Sequence, residues 1–574
     1  MSIVEEKKAY ISSLIKIDNV SNIEIQESLI PPPDPELGDF ALPCFKFAKL
    51  LKTSPVKIAE NIVSSITDDH TMFDKIVAIN GYVNFKFNIR ASANRVLSEI
   101  VTQKSTYANS SEGMGRTICI DYSSINIAKL MHIGHLSTTV IGGALYRIYK
   151  KLGYNPIGIN HLGDWGTQFG KLIVAFKLWG NIEKLTNDGV SALTEIYVKF
   201  HAESETKPEL LDMARAAFKR LEDGDPESVQ LFELFKKITL DEVNKVYDRL
   251  HVHFDSYNGE AFYNDKMDVV INELDSLNLT EISDGAKIVD LSKYDMPPCL
   301  LVRSDGATLY ATRDLAAAYY RKRTYDFYKC IYVVAYQQNL HFKQLFKVLE
   351  LAGKTWAKDM IHVPFGMVSL EEGAMSTRRG NVILLMDVLS KAVEKSAEIM
   401  TVKNPALKDK MEIAEKIGVG AITFFALNNN RIKDIVFSYD KALSFDGETG
   451  PYIQYTNVRA LSILRNLGVS DDYFSIPFTD DELAGLDNKE SAILLSLLEK
   501  MPDILTQVIE KFEPSILSRY IIDVAKAFNR FYLENRIMNA ETNYRRARAT
   551  LTYATHIILE EGLRLLGIDA PTEM

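Results

Sequence analysis

The stretch NIAKLMHIGHLSTTVIGG, residues 126–143, places two histidines at the expected start of a helix. His132 and His135 flank an Ile-Gly pair just ahead of an apolar run rich in small residues. In a parallel α/β unit the ligand crevice lies where a strand gives way to its helix, and free backbone N–H groups there favour a phosphate. Gly134 lacks a Cβ, so a flat ring can approach the backbone. The stretch therefore predicts a nucleotide site. For the HxGH tetrapeptide by itself, the alternative is that the two histidines are surface or core residues with their hydrogen bonds made within the protein.

The segments around this stretch predict a Rossmann-like unit. TICIDYSS (117–124) is typical of a buried strand, a helix is expected through Lys151, and NPIGINHLGDWG (155–166) begins a second strand. A strand, a helix and another strand in this order form a right-handed parallel unit. Parallel-strand signals resume in CIYVVAYQQ (330–338) and MIHVPFGMVSL (360–370). We therefore expect an α/β fold built on a parallel sheet.

Changes of pattern along the chain predict three regions. We expect a small N-terminal α/β domain at 1–107, a Rossmann-like core at 108–395 and a C-terminal all-α bundle at 396–574. The core is expected to carry a charged helical insertion over about residues 182–290, where apolar residues recur at helical spacing. The last region has almost no strand signal.

Composition limits the classes of protein that fit. The 66 basic and 76 acidic residues give a net charge of −10, so a polyanion must be bound by local patches rather than by the whole surface. The four cysteines are far apart and form no CxxC pair, which disfavours a zinc site or a disulfide framework and favours a reducing compartment. No window approaches the roughly 18 apolar residues of a membrane span, and the first residues lack the pattern of a signal or transit peptide. We expect a cytoplasmic protein that does not enter a membrane.

Two adjoining segments carry a resemblance to a known family. SSINIAKLMHIGH (123–135) resembles the HIGH element of class I aminoacyl-tRNA synthetases, and together with NHLGDWGTQFGKL (160–172) it is similar to arginyl-tRNA synthetase in particular. The similarity continues in order along nearly the whole chain. The further matching segments are LEDGDPE (221–227), SDGATLYATRDLAAA (304–318), YVVAYQQNLHFKQLFKVLELAG (332–353), MSTRRGNVILL (375–385), GPYIQYTNVRALSILR (450–465) and FNRFYLENRI (528–537).

The resemblance implies a reaction in two steps. L-Arginine attacks the α-phosphate of ATP, supplied with Mg²⁺, to give arginyl-adenylate and pyrophosphate, and the arginine is then transferred to the 3′-terminal ribose of tRNA(Arg). Neither step needs a protein nucleophile, so the site must align the reactants and stabilise developing charge. The resemblance further implies that the core is catalytic, that the N-terminal domain binds the tRNA elbow and that the helical bundle binds the anticodon. We expect a monomer without a tightly bound protein metal site.

The second signature of this class departs from its usual form. The loop normally written KMSKS reads Ala374 to Arg378 here, and both lysines are missing. In arginyl enzymes a lysine just before the HIGH element takes over the missing charge, and Lys129 stands in that place. A solvated basic loop is the alternative for STRRG by itself. The predicted catalytic set is Lys129, His132, Gly134, His135, Met375, Ser376, Arg378 and Arg379.

Arginine requires a pocket with carboxylate and hydroxyl acceptors for its guanidinium. On the resemblance, Tyr310 and Asp314 match the guanidinium contacts, and their spacing of four places them on one face if the segment is helical. Asp121 is expected to be a second carboxylate, although the family tends to carry the longer glutamate there. As an alternative, Asp314 pairs with Arg313 or Arg321 on the helix surface.

The remaining arginine contacts belong to the amino-acid head group. The resemblance assigns Ser124 and Asn126 at the end of the first strand and Gln338 at the end of a later strand to this role, with His135 beside them. Amide and hydroxyl oxygens suit an α-ammonium group. No editing domain is expected, because a buried carboxylate that pairs with a guanidinium rejects analogues lacking it.

Two further sets match positions that contact tRNA in the family. The first comprises Asn80, Tyr82 and Asn84, and the second comprises Tyr452, Gln454, Tyr455 and Arg459. Stacking and amide contacts are how unpaired bases are usually bound. As an alternative, the residues of the first set belong to an ordinary strand that has no role in binding tRNA. Arg545, Arg546 and Arg548 add basic groups that a solvated face explains almost as well.

Two other classes of protein compete with this interpretation. A nucleotidyltransferase that uses the same HxGH fold is usually much shorter and needs no helical tail. A catalytically silent tRNA-binding paralogue is disfavoured because both histidines, Lys129 and the arginine pocket are present. Among synthetases, cysteinyl and glutamyl specificities are disfavoured by the lack of a zinc-like cysteine set and by the acidic pocket.

Overall fold

The computed structural model describes residues 2–34, 37–67, 72–304, 306, 308–370 and 383–574. The predicted signature-loop residues Met375, Ser376, Arg378 and Arg379 lie outside these ranges. Ala374 and Thr377, which stand where lysines are usual, lie outside them as well.

The N-terminal region is an antiparallel sheet with helices packed against it. Its helices are α1 Ile3–Leu14, α2 Asn22–Ser28, α3 Ala48–Leu51, α4 Pro55–Ser65 and α5 Ile89–Gln103. Its strands are β1 Phe40–Pro43, β2 Phe73–Ile79 and β3 Tyr82–Phe87, in the order β1–β3–β2. Val83, Phe85 and Phe87 of β3 are buried, and their alternate spacing is typical of a strand with one face in the core.

The decisive stretch forms the expected strand–helix–strand unit. β4 Thr117–Asp121 leads through a short turn to α6 Leu136–Lys151 and then to β5 Asn155–Ile159. β4 and β5 are parallel, with Cys119 opposite Ile157. Gly153, just beyond the end of α6, has φ +80°, the left-handed conformation that glycine adopts most readily after a helix.

The insertion is helical over most of its length and ends in a small antiparallel sheet. Its helices, with the helix that precedes it, are α7 Thr167–Trp179, α8 Ile182–Asp188, α9 Val190–Ser204, α10 Glu209–Glu222, α11 Pro226–Arg249 and α12 Met267–Ser276. The strands are β6 Glu281–Ser283, β7 Ala286–Val289 and β8 Cys299–Val302, in that order. The part expected to be helical up to about residue 290 therefore contains β6 and β7, which are too short to show a strand periodicity.

The second half of the core completes the parallel sheet. Its elements are α13 Tyr310–Tyr325, β9 Lys329–Ala335, α14 Asn339–Leu351, β10 Met360–Phe365, β11 Val368–Leu370 and α15 Leu385–Lys403. The sheet runs in the order β10–β9–β4–β5, and its neighbouring strands are parallel. This order confirms the Rossmann-like arrangement and brings the carboxyl ends of β4, β5 and β9 to one edge.

The C-terminal region is helical apart from one short strand among its described elements. They are α16 Lys410–Leu427, β12 Ile435–Phe437, α17 Tyr439–Ala442, α18 Gly450–Leu467, α19 Asp472–Ser475, α20 Asp480–Leu483, α21 Lys489–Leu498, α22 Met501–Lys511, α23 Ser515–Glu534 and α24 Thr542–Leu566. β12 departs from the all-α expectation because it pairs in parallel with β11 of the core. A three-residue strand of this kind depends on its partner rather than on its own pattern.

Helix α6 ties the core to the helical region. Arg147 Nε donates to the carbonyl of Leu565 at 2.9 Å, and Lys151 Nζ lies 2.8 Å from Glu561 Oε1 in a buried ion pair. Apolar residues of α6 and α24 belong to the same hydrophobic core. The helix that begins at the histidine motif therefore ends inside the helical region.

Candidate active site at the carboxyl edge of the sheet

The turn after β4 is held in a strained conformation. Ser123, Ser124 and Ala128 have φ values of +69°, +46° and +61°, in a region that costs a non-glycine residue about 1–2 kcal/mol. Two side chains from other elements fix the turn. The Ser123 N–H donates to Thr138 Oγ1 at 2.9 Å, and its hydroxyl lies 2.7 Å from the hydroxyl of Tyr247 on α11. Strain of this kind concentrates at functional sites, where the surrounding structure maintains it.

His132 and His135 face each other, with ring centroids 4.0 Å apart. The Gly134 N–H donates to His132 Nδ1 at 3.1 Å, so the ring hydrogen of neutral His132 lies on Nε2. His135 Nδ1 lies 3.1 Å from the backbone nitrogen and 3.3 Å from the carbonyl oxygen of the same His132. The motif therefore presents an Nε2–H donor on His132, and the backbone of His132 holds the ring of His135.

Both histidines are neutral near pH 7. Burial, with smaller contributions from the neighbouring His132 and Lys129, lowers the pKa of His135 to about 4. Burial and then Lys129 lower the pKa of His132 as well. Lys129 itself is exposed, and its positive charge lowers the pKa of both rings.

The chain that follows the signature loop pairs with the histidine motif. The Ile133 N–H donates to the carbonyl of Ile383 at 3.1 Å, and the Leu385 N–H donates to the carbonyl of Met131 at 2.9 Å. His132 and Leu384 form an antiparallel bridge between them. The predicted roles of the loop residues stay predictions, but its described C-terminal flank lies against the motif.

Asp121 does not offer an open carboxylate as predicted. Its Oδ2 lies 2.7 Å from Arg321 Nη2, and its Oδ1 accepts from the Ser124 hydroxyl at 2.8 Å. The side chains of Asp121 and Arg321 are only 6% and 1% exposed. The short aspartate at the strand end is thus bound by the chain's own guanidinium. Sequence reasoning missed this role of Arg321, although the residue lies seven positions after Asp314 and so on the same helical face.

Asp314 lies between two histidines that the sequence reasoning missed. Its Oδ2 is 2.7 Å from His341 Nε2, and its Oδ1 is 3.7 Å from His161 Nε2. Burial raises the pKa of Asp314, but the hydrogen bond from His341 and the nearby His161 outweigh burial, so the net pKa is lowered and the group is ionised near pH 7. Neither Arg313 nor Arg321 bonds to Asp314 among the described contacts. The positions of the two histidines in NHLGDWG and QQNLHF were the available signal.

Tyr310 and Asp314 share a face of α13, as their spacing predicted. The Tyr310 ring is 59% exposed, and its centroid lies 5.2 Å from the ring of His341. Arg313 lies on another face of α13, and its Nη1 is 3.6 Å from Glu260 Oε2. The structure therefore brings a phenol, an imidazole and an ionised carboxylate together at the start of α13.

The predicted head-group residues lie at two strand ends. Ser124 and Asn126 follow β4, and Gln338 is the exposed N-cap of α14. Asn126 lies directly over the backbone of Gly163, where an added Cβ would come 2.2 Å from Asn126 Oδ1. A glycine at 163 is thus required to place Asn126 at this edge.

Two of the three predicted elbow contacts reach the surface of the N-terminal region. Asn80 is exposed in the turn before β3, with φ +49°, and Tyr82 packs edge-on against Phe45 at 5.2 Å. Asn84 is buried in β3, between β1 and β2. The expectation that Asn84 contacts tRNA is therefore wrong for this structure, because central-strand packing covers it.

Of the predicted anticodon residues, Tyr455 is exposed and packs against the half-buried Arg459, which also donates to Asn529. The Arg459 guanidinium lies over the Tyr455 ring at 5.0 Å, and Tyr452 accepts from Asn529 at 3.0 Å. Gln454 is fully buried, and its amide donates to the carbonyls of Asp569 at 2.7 Å and Lys416 at 3.0 Å. Its predicted contact with tRNA is therefore wrong, since the side chain is buried and binds the backbone of α16 and of the segment after α24.

The three basic residues on α24 are held by other parts of the helical region. Arg546 is buried, with its Nε 2.6 Å from Glu482 Oε1. Arg548 donates to the carbonyls of Gly485 at 3.0 Å and Arg536 at 2.8 Å, and Arg545 donates to the carbonyl of Ala540 at 3.4 Å. A freely solvated basic face therefore does not describe Arg546.

Within the ranges that the structure describes, no helix is long and apolar enough to cross a membrane. The same ranges contain no group of three or more histidine, cysteine or acidic side chains arranged to hold a metal ion. The four cysteines are buried and unpaired.

Three family models match successive parts of the chain. The model for "tRNA synthetases class I (R), catalytic domain" matches residues 96–439. The "Arginyl tRNA synthetase N terminal domain" matches residues 6–87, and the "DALR anticodon binding domain" matches residues 453–574.

Individual relatives and solved structures agree with these matches. The chain is 48% identical over 573 residues to the arginine–tRNA ligase of Alkaliphilus metalliredigens, covering 99% of each. It is 48% identical over 572 residues to that of Halothermothrix orenii, covering 100% of each. The arginyl-tRNA synthetase structure from Thermus thermophilus shares the fold with a TM-score of 0.81 at 24% identity, over 100% of this chain and 99% of that one. The chain belongs to the arginine–tRNA ligase family of class I aminoacyl-tRNA synthetases.

Proposed function

We propose that the protein joins L-arginine to tRNA(Arg) at the carboxyl edge of the parallel sheet, with Asp314 as the carboxylate that selects the guanidinium. The observation that carries this assignment is the ionised Asp314, fixed by His341 beside the exposed Tyr310 on α13. An anionic pocket with a phenol suits a planar cation. Ser124, Asn126 and Gln338 are proposed to bind the amino-acid head group from the adjoining strand ends.

The nucleotide is proposed to lie at the histidine motif. His132 and His135 would donate from Nε2 to ATP phosphate oxygens, and His135 would also adjoin the arginine carboxylate. Gly134 would leave room for the adenine. Lys129, with Arg378 and Arg379 of the signature loop, is proposed to supply positive charge as pyrophosphate leaves, while Met375 and Ser376 shape that loop. These groups act by alignment and charge stabilisation rather than as nucleophiles.

The other partners follow from the same assignment. ATP is proposed to arrive as its Mg²⁺ complex, which makes the ion part of the substrate. Asn80 and Tyr82 are proposed to contact the tRNA elbow, and Tyr452, Tyr455 and Arg459 the anticodon arm. The enzyme is proposed to act as a monomer in the cytoplasm, a reducing compartment that suits four buried free thiols.

Replacing the selecting carboxylate tests the assignment. Asp314→Asn should raise the KM for arginine and narrow the preference for arginine over the neutral isostere citrulline, because an ionic pair becomes a neutral contact. The measurement is kcat/KM for charging of tRNA(Arg) with each amino acid. Asp326→Asn is a matched control, since Asp326 caps the far end of the same helix and is exposed. Unchanged discrimination in Asp314→Asn would place the selecting group elsewhere.

A further inference from the structure

The two oxygens of Asp314 are in different environments. Oδ2 is engaged by His341 Nε2 at 2.7 Å, the length of a strong charge-assisted hydrogen bond. Oδ1 lies 3.7 Å from His161 Nε2, which is beyond hydrogen-bonding distance. One oxygen is therefore held by the protein, and the other retains capacity to accept a hydrogen bond from a ligand.

The orientation of His161 is set from its other side. Arg321 Nη2 lies 3.4 Å from His161 Nδ1, and a guanidinium can only donate, so Nδ1 accepts. The hydrogen of neutral His161 then lies on Nε2 and faces Asp314. Arg321 is itself fixed by Asp121 at 2.7 Å. A row of polar side chains thus runs from Asp121 at the end of β4 to the carboxylate of Asp314.

His341 lies at the junction of two predicted substrate contacts. It is the third residue of α14, whose N-cap is Gln338, and its ring centroid lies 5.2 Å from that of Tyr310. Its side chain is 13% exposed. The imidazole is therefore close enough to the pocket to orient Asp314 and Tyr310 together without leaving the helix interface.

We propose that His341 is a specificity-determining positioning residue for arginine. Its Nε2–H holds Asp314 Oδ2, which turns Oδ1 toward the guanidinium of the substrate. Tyr310, packed on the same imidazole, closes the pocket beside that oxygen. This inference rests on the proposed role of Asp314, and it assigns His341 an action through Asp314 rather than a direct contact with arginine.

Amide substitutions of different length separate this role from simple packing. Gln places its amide nitrogen near the position of Nε2, whereas Asn falls short of it. His341→Asn should raise the KM for arginine about tenfold, with little change in kcat or in the KM for ATP, and should narrow the arginine-to-citrulline preference. His341→Gln should restore most of the affinity. His201→Leu, at an exposed position of α9, is the control for loss of an unrelated histidine.

A double variant distinguishes the possible failures. If His341 acts through Asp314, the KM of Asp314→Asn/His341→Asn should equal that of Asp314→Asn alone. The role of His341 would be overturned if His341→Asn left the KM for arginine unaltered. It would also be overturned if the Asn and Gln variants raised that KM equally. Either result would leave the Asp314 assignment intact. If Asp314→Asn itself leaves arginine selection unchanged, the proposed function of Asp314 fails and the inference fails with it. Thermal unfolding of each variant excludes loss of fold as the cause.

Discussion

At the scale of single residues, the proposed phosphate contacts of the histidine motif come from neutral rings. His132 Nδ1 accepts the Gly134 N–H, which leaves its ring hydrogen on Nε2, and His135 Nδ1 lies 3.1 Å from the backbone nitrogen of His132. Burial together with neighbouring positive charge lowers both pKa values, that of His135 to about 4. A histidine with a lowered pKa is protonated only as the pH falls toward that value. The proposed stabilisation of phosphate charge by this pair therefore needs no change of protonation in the neutral pH range.

Removing one of these donors should reduce the rate without changing its pH dependence. His135→Ala should lower arginylation by at least about a hundredfold, because a preorganised donor at developing charge contributes roughly 3 kcal/mol. The ratio of wild-type to variant kcat should stay constant from pH 6 to pH 8, since His135 titrates near 4. A ratio that grows about tenfold toward pH 6 would mean that the working form is the imidazolium. A wild-type rate in the variant would remove His135 from the reaction.

At this scale the sequence predicts which residues form the candidate site but not the environment of each side chain. Tyr310 and Asp314 could be placed together because their spacing is local and helical. Asp121 and Arg321 pair across two hundred positions of sequence, so their contact is decided by the tertiary fold. Asn84 and Gln454 look like surface amides in sequence, and only packing shows that both are buried.

At the scale of elements, the insertion contributes to the site through α11. Tyr247 is buried on this helix, and its hydroxyl contacts Ser123 Oγ at 2.7 Å and accepts from Asn160 Nδ2 at 2.9 Å. The Thr239 hydroxyl on the same helix accepts from the Ala128 N–H at 3.0 Å. The helix therefore supports the strained turn that carries the predicted head-group contacts.

Loss of the Tyr247 hydroxyl should loosen that turn. Tyr247→Phe leaves the Asn160 amide nitrogen without its buried partner and leaves the Ser123 hydroxyl with Thr139 alone. An unsatisfied buried donor costs about 1–3 kcal/mol, and kcat/KM for arginine should fall about tenfold. Steady-state charging kinetics measure the effect. Tyr257→Phe is the matched control, because its hydroxyl makes one longer bond to Asn244 at 3.3 Å. Equal activity of the two variants would show that α11 does not support the turn.

Elements were predictable where a pattern was long enough to be seen. β4, α6 and β5 follow from an apolar run, a helical stretch and a second strand, and each was found as expected. β6, β7 and β12 have three or four residues each, and they exist because a partner strand lies beside them. Such strands carry no periodicity of their own, so no reading of the local sequence identifies them.

At the scale of the whole molecule, contacts link the three regions. Lys7 of α1 pairs with the buried Glu499 at 2.7 Å, and α6 is fixed in the helical region through Lys151 and Glu561 at 2.8 Å. The N-terminal and helical regions thus meet each other as well as the core. With a net charge of −10, the proposed tRNA contacts must rely on local groups such as Tyr455 and Arg459.

The identity of the amino acid that is attached to tRNA is measured most directly on the intact enzyme. Purified full-length protein is incubated with ATP, Mg²⁺ and tRNA(Arg), and aminoacyl-tRNA formation is measured for each of the standard amino acids in turn. The acidic pocket around Asp314 predicts charging with L-arginine alone, dependent on ATP and accompanied by release of pyrophosphate. Charging with a different amino acid, or no charging by a folded protein supplied with arginine, would contradict the assignment.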